Sequence, residues 1–181
     1  MRLLKFHEKK LLKHQDFINW EIDNNLHQVK ILRRFRIQNR EDYTAYNKMA
    51  RQIREIANKI RDLDPDHPYK KEATAALLKK LYDMGLTPTM RTLECADRIS
   101  ATSFCRRRLA SLVFASHMAE NMKAAVTFVE HGHIRVGPRL VTDPAYIVPR
   151  SMEDFITWAD TSKIRKHVLQ YNEELDDAEF L

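Results

Sequence analysis

The clearest pattern lies between residues 41 and 63. Tyr46, Met49, Ile53, Ile56, Ile60 and Leu63 repeat at spacings of three, four, three, four and three, while Lys48, Arg51, Arg54, Lys59 and Arg61 take the other faces. That is the period of an α-helix with a single apolar seam. Asp64-Pro65-Asp66-His67-Pro68 then breaks the pattern. A second helix is expected from about Tyr69 to Met84, with Leu77, Leu78 and Leu81 facing inward. Gly85 suits the position just past its end, with Pro88 beyond. Two helices joined by a short turn predict a helical hairpin. Residues 86 to 102 read as irregular, with a turn of helix near Thr92 to Asp97.

Beyond Ser100 the spacing predicts one helix carrying Leu109, Leu112 and Val113, then a second capped by Ser116. The second runs through Met118, Met122, Ala125, Val126 and Val129 to His131-Gly132. There the period changes to two. Ile134 and Val136 point one way, His133 and Arg135 the other, and Gly137-Pro138 turns the chain towards Leu140-Val141. A helix therefore feeds a small hairpin with imidazole and guanidinium groups on its open face. Tyr146 to Val148 and Phe155 to Trp158 read as two further strands, although the Ser151-Met152-Glu153-Asp154 start could equally cap a helical turn. Residues 162 to 172 return to helical spacing, with a basic face of Lys163, Arg165 and Lys166.

At the other end a short helix is possible from Glu8 to Asn19. Phe17, Ile18, Trp20 and Ile22 are too apolar for a free tail and read as an anchor, on this chain's own core or on a partner. Arg33, Arg34, Arg36 and Arg40 crowd around Phe35 and Ile37, either as a solvated basic face or as an RNA contact. The last residues, 173 to 179, are acidic and poorly suited to RNA.

Composition narrows the partner. The chain of 181 residues carries a net charge of +6, which suits an anionic partner, nucleic acid or membrane surface, without choosing between them. No apolar run approaches the roughly 18 to 20 residues of a membrane span, so no membrane partner is expected. The N-terminus lacks the apolar core of a signal peptide. Cys95 and Cys105 form neither a disulfide framework nor a zinc pattern and read as ordinary buried or half-buried residues of a reducing compartment. The sequence contains no Gly-rich phosphate loop, no His-Glu-x-x-His and no Gly-x-Ser-x-Gly. His131 and His133 make a weak metal pair without a third ligand nearby, and Asp143 before Pro144 reads as a turn residue rather than an acid or base. No cofactor and no catalysis are expected.

Three segments carry a resemblance. Ser103-Phe-Cys-Arg-Arg-Arg-Leu109, His131-Gly-His-Ile-Arg-Val-Gly137 and Asp143-Pro-Ala-Tyr-Ile-Val148 resemble, in order and spacing, the S-four RNA-binding domain. The helical hairpin from Tyr43 to Gly85 is similar to the region preceding that domain in the eukaryotic small-subunit ribosomal protein. The segments Lys5 to Lys13, Asp16-Phe17, Trp20, Ile37 to Tyr43 and Met152 to Asp154 resemble more closely the nucleolar family of S-four-domain proteins of the U-three small nucleolar ribonucleoprotein.

The resemblance implies an α+β fold. An N-terminal helical region precedes a small S-four-like RNA-binding domain of two helices on a short β-sheet, then a C-terminal helix and acidic tail. The expected divisions are 1–42 (basic arm with docking segment), 43–102 (helical hairpin), 103–160 (RNA-binding domain) and 161–181. Candidate RNA-binding residues are Arg106, Arg107, Arg108, His117, Lys123, His131, His133, Arg135 and Arg139, with Arg33, Arg34, Arg36 and Arg40 as a second group. Arg106 to Arg108 span about 200° of helix surface, so at least one must leave the core. Phe17, Ile18 and Trp20 are the candidate docking residues.

The resemblance further implies a nucleolar, non-catalytic subunit of the small-subunit processome. Its partners would be U-three small nucleolar RNA, pre-ribosomal RNA, the Mpp-ten phosphoprotein and a Brix-domain processome protein. Two alternatives stand beside this: a structural protein of the mature small subunit, and a protein-docking module with a vestigial RNA surface.

Overall fold

A computed structural model describes residues 2–14, 25–64 and 66–174. The chain divides into two compact units, one ending at Ile31 and the other beginning at Leu32. In the first, α1 (Phe6–His14) is preceded by an Arg2–Glu8 ion pair, and Glu8 accepts from the Lys5 backbone N–H at 2.9 Å. Phe17, Ile18 and Trp20, the expected docking residues, lie outside the described residues.

Helix α2 (Asn25–Arg34) leads into the second unit, where Phe35 and Ile37 are buried. The long helix α3 (Arg40–Arg61) and α4 (Pro68–Asp83) make the expected hairpin. The seam of α3 is rotated from the expected one. Tyr43, Tyr46, Ala50, Ala57 and Ile60 are buried, whereas Ile56 is 47% exposed. The helical period holds, at three, four, seven and three with half-buried Ile53 inside the long step, but alanines floor the seam because they admit close approach by short helices such as α5 (Glu94–Asp97) and α6 (Ala101–Arg106). Arg61 pairs with Asp97 across that packing. Helix α4 ends as its sequence requires. Gly85 sits at φ +72°, its N–H bonds Tyr82 O at 2.8 Å, and Leu86 N–H bonds Leu81 O at 3.0 Å.

The helix expected beyond Ser100 is two helices. Helix α6 stops at Arg106 and α7 (Leu109–Ala115) starts after a break in which Arg108 bridges Ile147 in antiparallel fashion. Ser116 closes α7 rather than opening the next helix. Helix α8 (Met122–Glu130) is capped instead by Asn121, whose side chain accepts from Ala124 N–H at 2.8 Å. The core joins α7 and α8 to the sheet through Leu109, Val113, Val126, Val129, Ile134 and Val148.

The sheet has three strands in the order β2-β1-β3, with β1 (Ile134–Val136) antiparallel to both β2 (Arg139–Leu140) and β3 (Ile156–Trp158). Both readings of residues 151 to 158 hold in part: a 3-10 turn over Arg150–Phe155 runs directly into β3. Residues 146 to 148 form only the single bridge at Ile147, not a strand of the sheet. Asp143 acts as a turn residue, accepting from Ala145 N–H at 2.8 Å. Helix α9 (Lys163–Tyr171) closes the described chain, capped by Ser162. Among the described residues no helix is long and apolar enough to cross a membrane.

Candidate nucleic-acid interface

Helix α8 meets β1 through a tight corner. Gly132 takes φ +73°, its N–H bonds Val129 O at 3.0 Å, and His133 N–H bonds Phe128 O at 2.9 Å. This pairing satisfies the last helix carbonyls and turns the chain straight into the strand. The alternation on β1 is the expected one. Ile134 is fully buried and Val136 nearly so, while Arg135 is on the opposite face.

Arg135 is braced rather than free. Its Nε donates to Thr157 Oγ1 at 3.0 Å, across the register that pairs the two residues, and its Nη1 donates to Asp160 at 2.6 Å. The second oxygen of Asp160 accepts from Arg165 at 2.6 Å. His133 is half-buried. Its Nδ1 lies 2.9 Å from the hydroxyl of Ser162, and its ring meets the edge of Phe128. His131 caps α8 and is exposed, its ring centroid 6.2 Å from that of His133. Among the described residues no group of three or more His, Cys, Asp or Glu could hold a metal ion.

The three arginines between α6 and α7 divide. Arg106 is exposed, with no charge partner among the described residues. Arg107 is buried: Nε and Nη2 donate to Val148 O at 3.1 and 2.8 Å, and Nη1 pairs with Glu153 at 2.8 Å. Arg108 is buried too, donating to Asp42 at 3.1 Å and to the Tyr46 hydroxyl at 3.2 Å. Both guanidiniums are consumed by internal acceptors, which corrects their expected place on an RNA-facing surface. Local spacing carries no sign of this, because their acceptors lie far away along the chain, Asp42 before them and Glu153 after.

The remaining cations stay on the surface. His117 closes α7 in a left-handed conformation, φ +59°, with its N–H on Phe114 O. Lys123 is exposed in the first turn of α8, and Arg139 on edge strand β2. Arg33, Arg34, Arg36 and Arg40 are all exposed. A groove of about 490 Å³ brings Arg34 together with Arg106 over Phe35, Phe114 and Met122. Arg165, absent from the expected set, joins the site through Asp160; its signal was the basic face of α9.

Residues 3–101 match the model of the ribosomal protein S4/S9 N-terminal domain, and residues 107–154 match that of the S4 domain. The U3 small nucleolar ribonucleoprotein protein IMP3 of Mus musculus is 59% identical over 178 residues, spanning 98% of this chain and 97% of its own. Its namesake in Saccharomyces cerevisiae is 44% identical over 181 residues, covering 99% of both. The chain belongs to the IMP3 family. Ribosomal relatives lie further off: the small ribosomal subunit protein uS4 of Ignicoccus hospitalis is 31% identical over 151 residues, 83% of this chain and 90% of its own. The higher identity over nearly the whole chain places it with the IMP3 proteins rather than with the small-subunit ribosomal proteins, and its second matched segment is an S4 domain.

Proposed function

We propose that the chain is a non-catalytic, nucleolar RNA-binding subunit of the small-subunit processome. It binds U-three small nucleolar RNA and pre-ribosomal RNA and aids their pairing for early processing. The observation that carries this reading is the cationic set around the α8–β1 corner and the α6–α7 break: the exposed Arg106, His117, Lys123, His131 and Arg139, with the half-buried Arg135 among them. A basic surface of this kind lowers the repulsion between two RNA strands and holds them in register, gripping backbone and shape more than base edges. Arg107 and Arg108 serve it from inside, by fixing the break from which Arg106 projects. Arg33, Arg34, Arg36 and Arg40 extend the same surface, and Arg34 reaches it in the groove shared with Arg106.

The protein partners follow the family resemblance: the Mpp-ten phosphoprotein and a Brix-domain processome protein, with Phe17, Ile18 and Trp20 as docking residues. Trp20→Ala should weaken that association by about 2 to 4 kcal/mol, as for anchor residues generally.

The test is titration with U-three small nucleolar RNA at several salt concentrations. Neutralising about four to six phosphates gives a log–log slope of about −3 to −4, at roughly 0.7 per single-strand contact. A slope near zero would exclude the RNA-binding reading and leave the protein-docking alternative.

A further inference from the structure

Arg135 and Arg165 come from different elements, β1 and α9, yet both guanidiniums close on the carboxylate of Asp160, each taking a different oxygen at 2.6 Å. Asp160 stands in the turn between β3 and α9, and its side chain is 58% exposed. The arginine side chains are 33% and 28% exposed. Two like charges gathered at one point need an anion between them, and here the chain supplies its own. Thr157 holds Arg135 independently through Nε, so that guanidinium keeps its aim if Asp160 leaves.

We infer that Arg135 and Arg165 form a two-arginine clamp for one RNA phosphate, and that Asp160 is the built-in competitor occupying it. A phosphodiester offers two anionic oxygens in the same forked arrangement as a carboxylate, which is the geometry guanidinium groups pair with best. With Asp160 in place the trio carries a net single positive charge; with Asp160 swung into solvent it carries two. Exposure makes the exchange inexpensive, because a surface ion pair contributes little on its own. The clamp therefore engages only when a phosphate is delivered at high local concentration by neighbouring contacts. This would favour an RNA already held by Arg106 and Lys123 over a passing one. The inference rests on the RNA-binding reading above and adds Arg165 and Asp160 to it.

The experiment uses the full chain, a transcript of U-three small nucleolar RNA and a uridine oligonucleotide. Asp160→Asn keeps the shape and removes the charge; Asp160→Ser is the second variant should the first fold poorly, as judged by melting. Either should tighten RNA binding by about fivefold or more and steepen the salt slope by roughly 0.7, one further phosphate contact. Asp154→Asn, an exposed acid outside the clamp, controls for the general loss of negative charge and should change affinity less than about twofold. Arg165→Ala should weaken binding by about three- to tenfold and erase the gain from Asp160→Asn. Equal gains from both Asn variants, weaker binding by Asp160→Asn, or an Arg165→Ala variant of unchanged affinity would each overturn the clamp. If Arg106→Ala and Lys123→Ala still weaken binding in those cases, the wider RNA reading stands. If they too are silent and the salt slope is flat, both fall.

Discussion

The guanidinium of Arg107 occupies the space where Gly85 would carry a Cβ: Cζ and Nε lie 2.7 Å from that point and Nη1 2.9 Å. Gly85 is thus required twice, by its positive φ and by the approach of a buried arginine that Val148 and Glu153 hold in place. Gly85→Ala should cost about 1 to 3 kcal/mol for the left-handed backbone alone, and more for displacing Arg107. Thermal melting checks it. Gly137, also at positive φ but with open space around its Cβ position, is the comparison and should lose less.

Arg135 and Ile134 should separate binding from folding. Arg135→Ala removes exposed bonds to Thr157 and Asp160, so stability should fall by less than about 1 kcal/mol. RNA affinity should fall by about 1.5 to 3 kcal/mol. Ile134→Ala empties a fully buried site between the sheet and α8 and should cost about 2 to 5 kcal/mol of stability. Paired melting and RNA titration measure both, and early melting of Arg135→Ala with unchanged affinity would invert the assignment.

His117 is a non-glycine residue at a position built for glycine, closing α7 at φ +59°. His117→Gly should leave stability unchanged or raise it by up to about 1 kcal/mol, because glycine adopts this conformation without steric cost. If the imidazole serves the RNA surface, the same variant should bind RNA more weakly although it melts no earlier. Equal affinity would assign the strain no role in binding.

The two cysteines should react in a fixed order. Hydrogen bonds with Thr92 and Thr89, at 3.6 and 3.7 Å from the sulfur, hold the Cys95 thiol below the usual range. Burial pushes Cys105 up to about 11. An alkylating reagent at mildly alkaline pH should label Cys95 in the folded protein and Cys105 only on unfolding. The folded state keeps the Cys105 proton above the pH at which the unfolded chain releases it. Stability should therefore decline as pH rises from about 9 towards 11, and Cys105→Ala should remove that part of the decline.

Periodic segments were legible because local spacing alone sets which face is buried. The hairpin of α3 and α4, the α8–β1 corner and the inward Ile134 and Val136 all follow from it. What the spacing could not carry was long-range. The seam of α3 settled on Ala50 and Ala57, not Met49 and Ile56, because the neighbours that fill it come from residues 94 to 106. One helix became two because Arg107 and Arg108 found acceptors at Val148, Glu153, Asp42 and Tyr46. A run of arginines reads as surface until its distant partners are known. For the same reason Arg165 was read only as part of a basic helix face and not as an RNA contact, since only folding brings it to the carboxylate that also holds Arg135.

The Arg108–Asp42 pair spans the two matched family segments, and the rings of Tyr46 and Phe104 stack beside it at 5.7 Å and 3°. Cutting the chain between those segments would strand a buried guanidinium without its carboxylate and uncover a phenylalanine that is 1% exposed. The boundary that divides the family models is therefore no seam of modularity. In this chain the S4 segment and its helical neighbour are welded into one folding body, so either expressed alone should lose most of its stability.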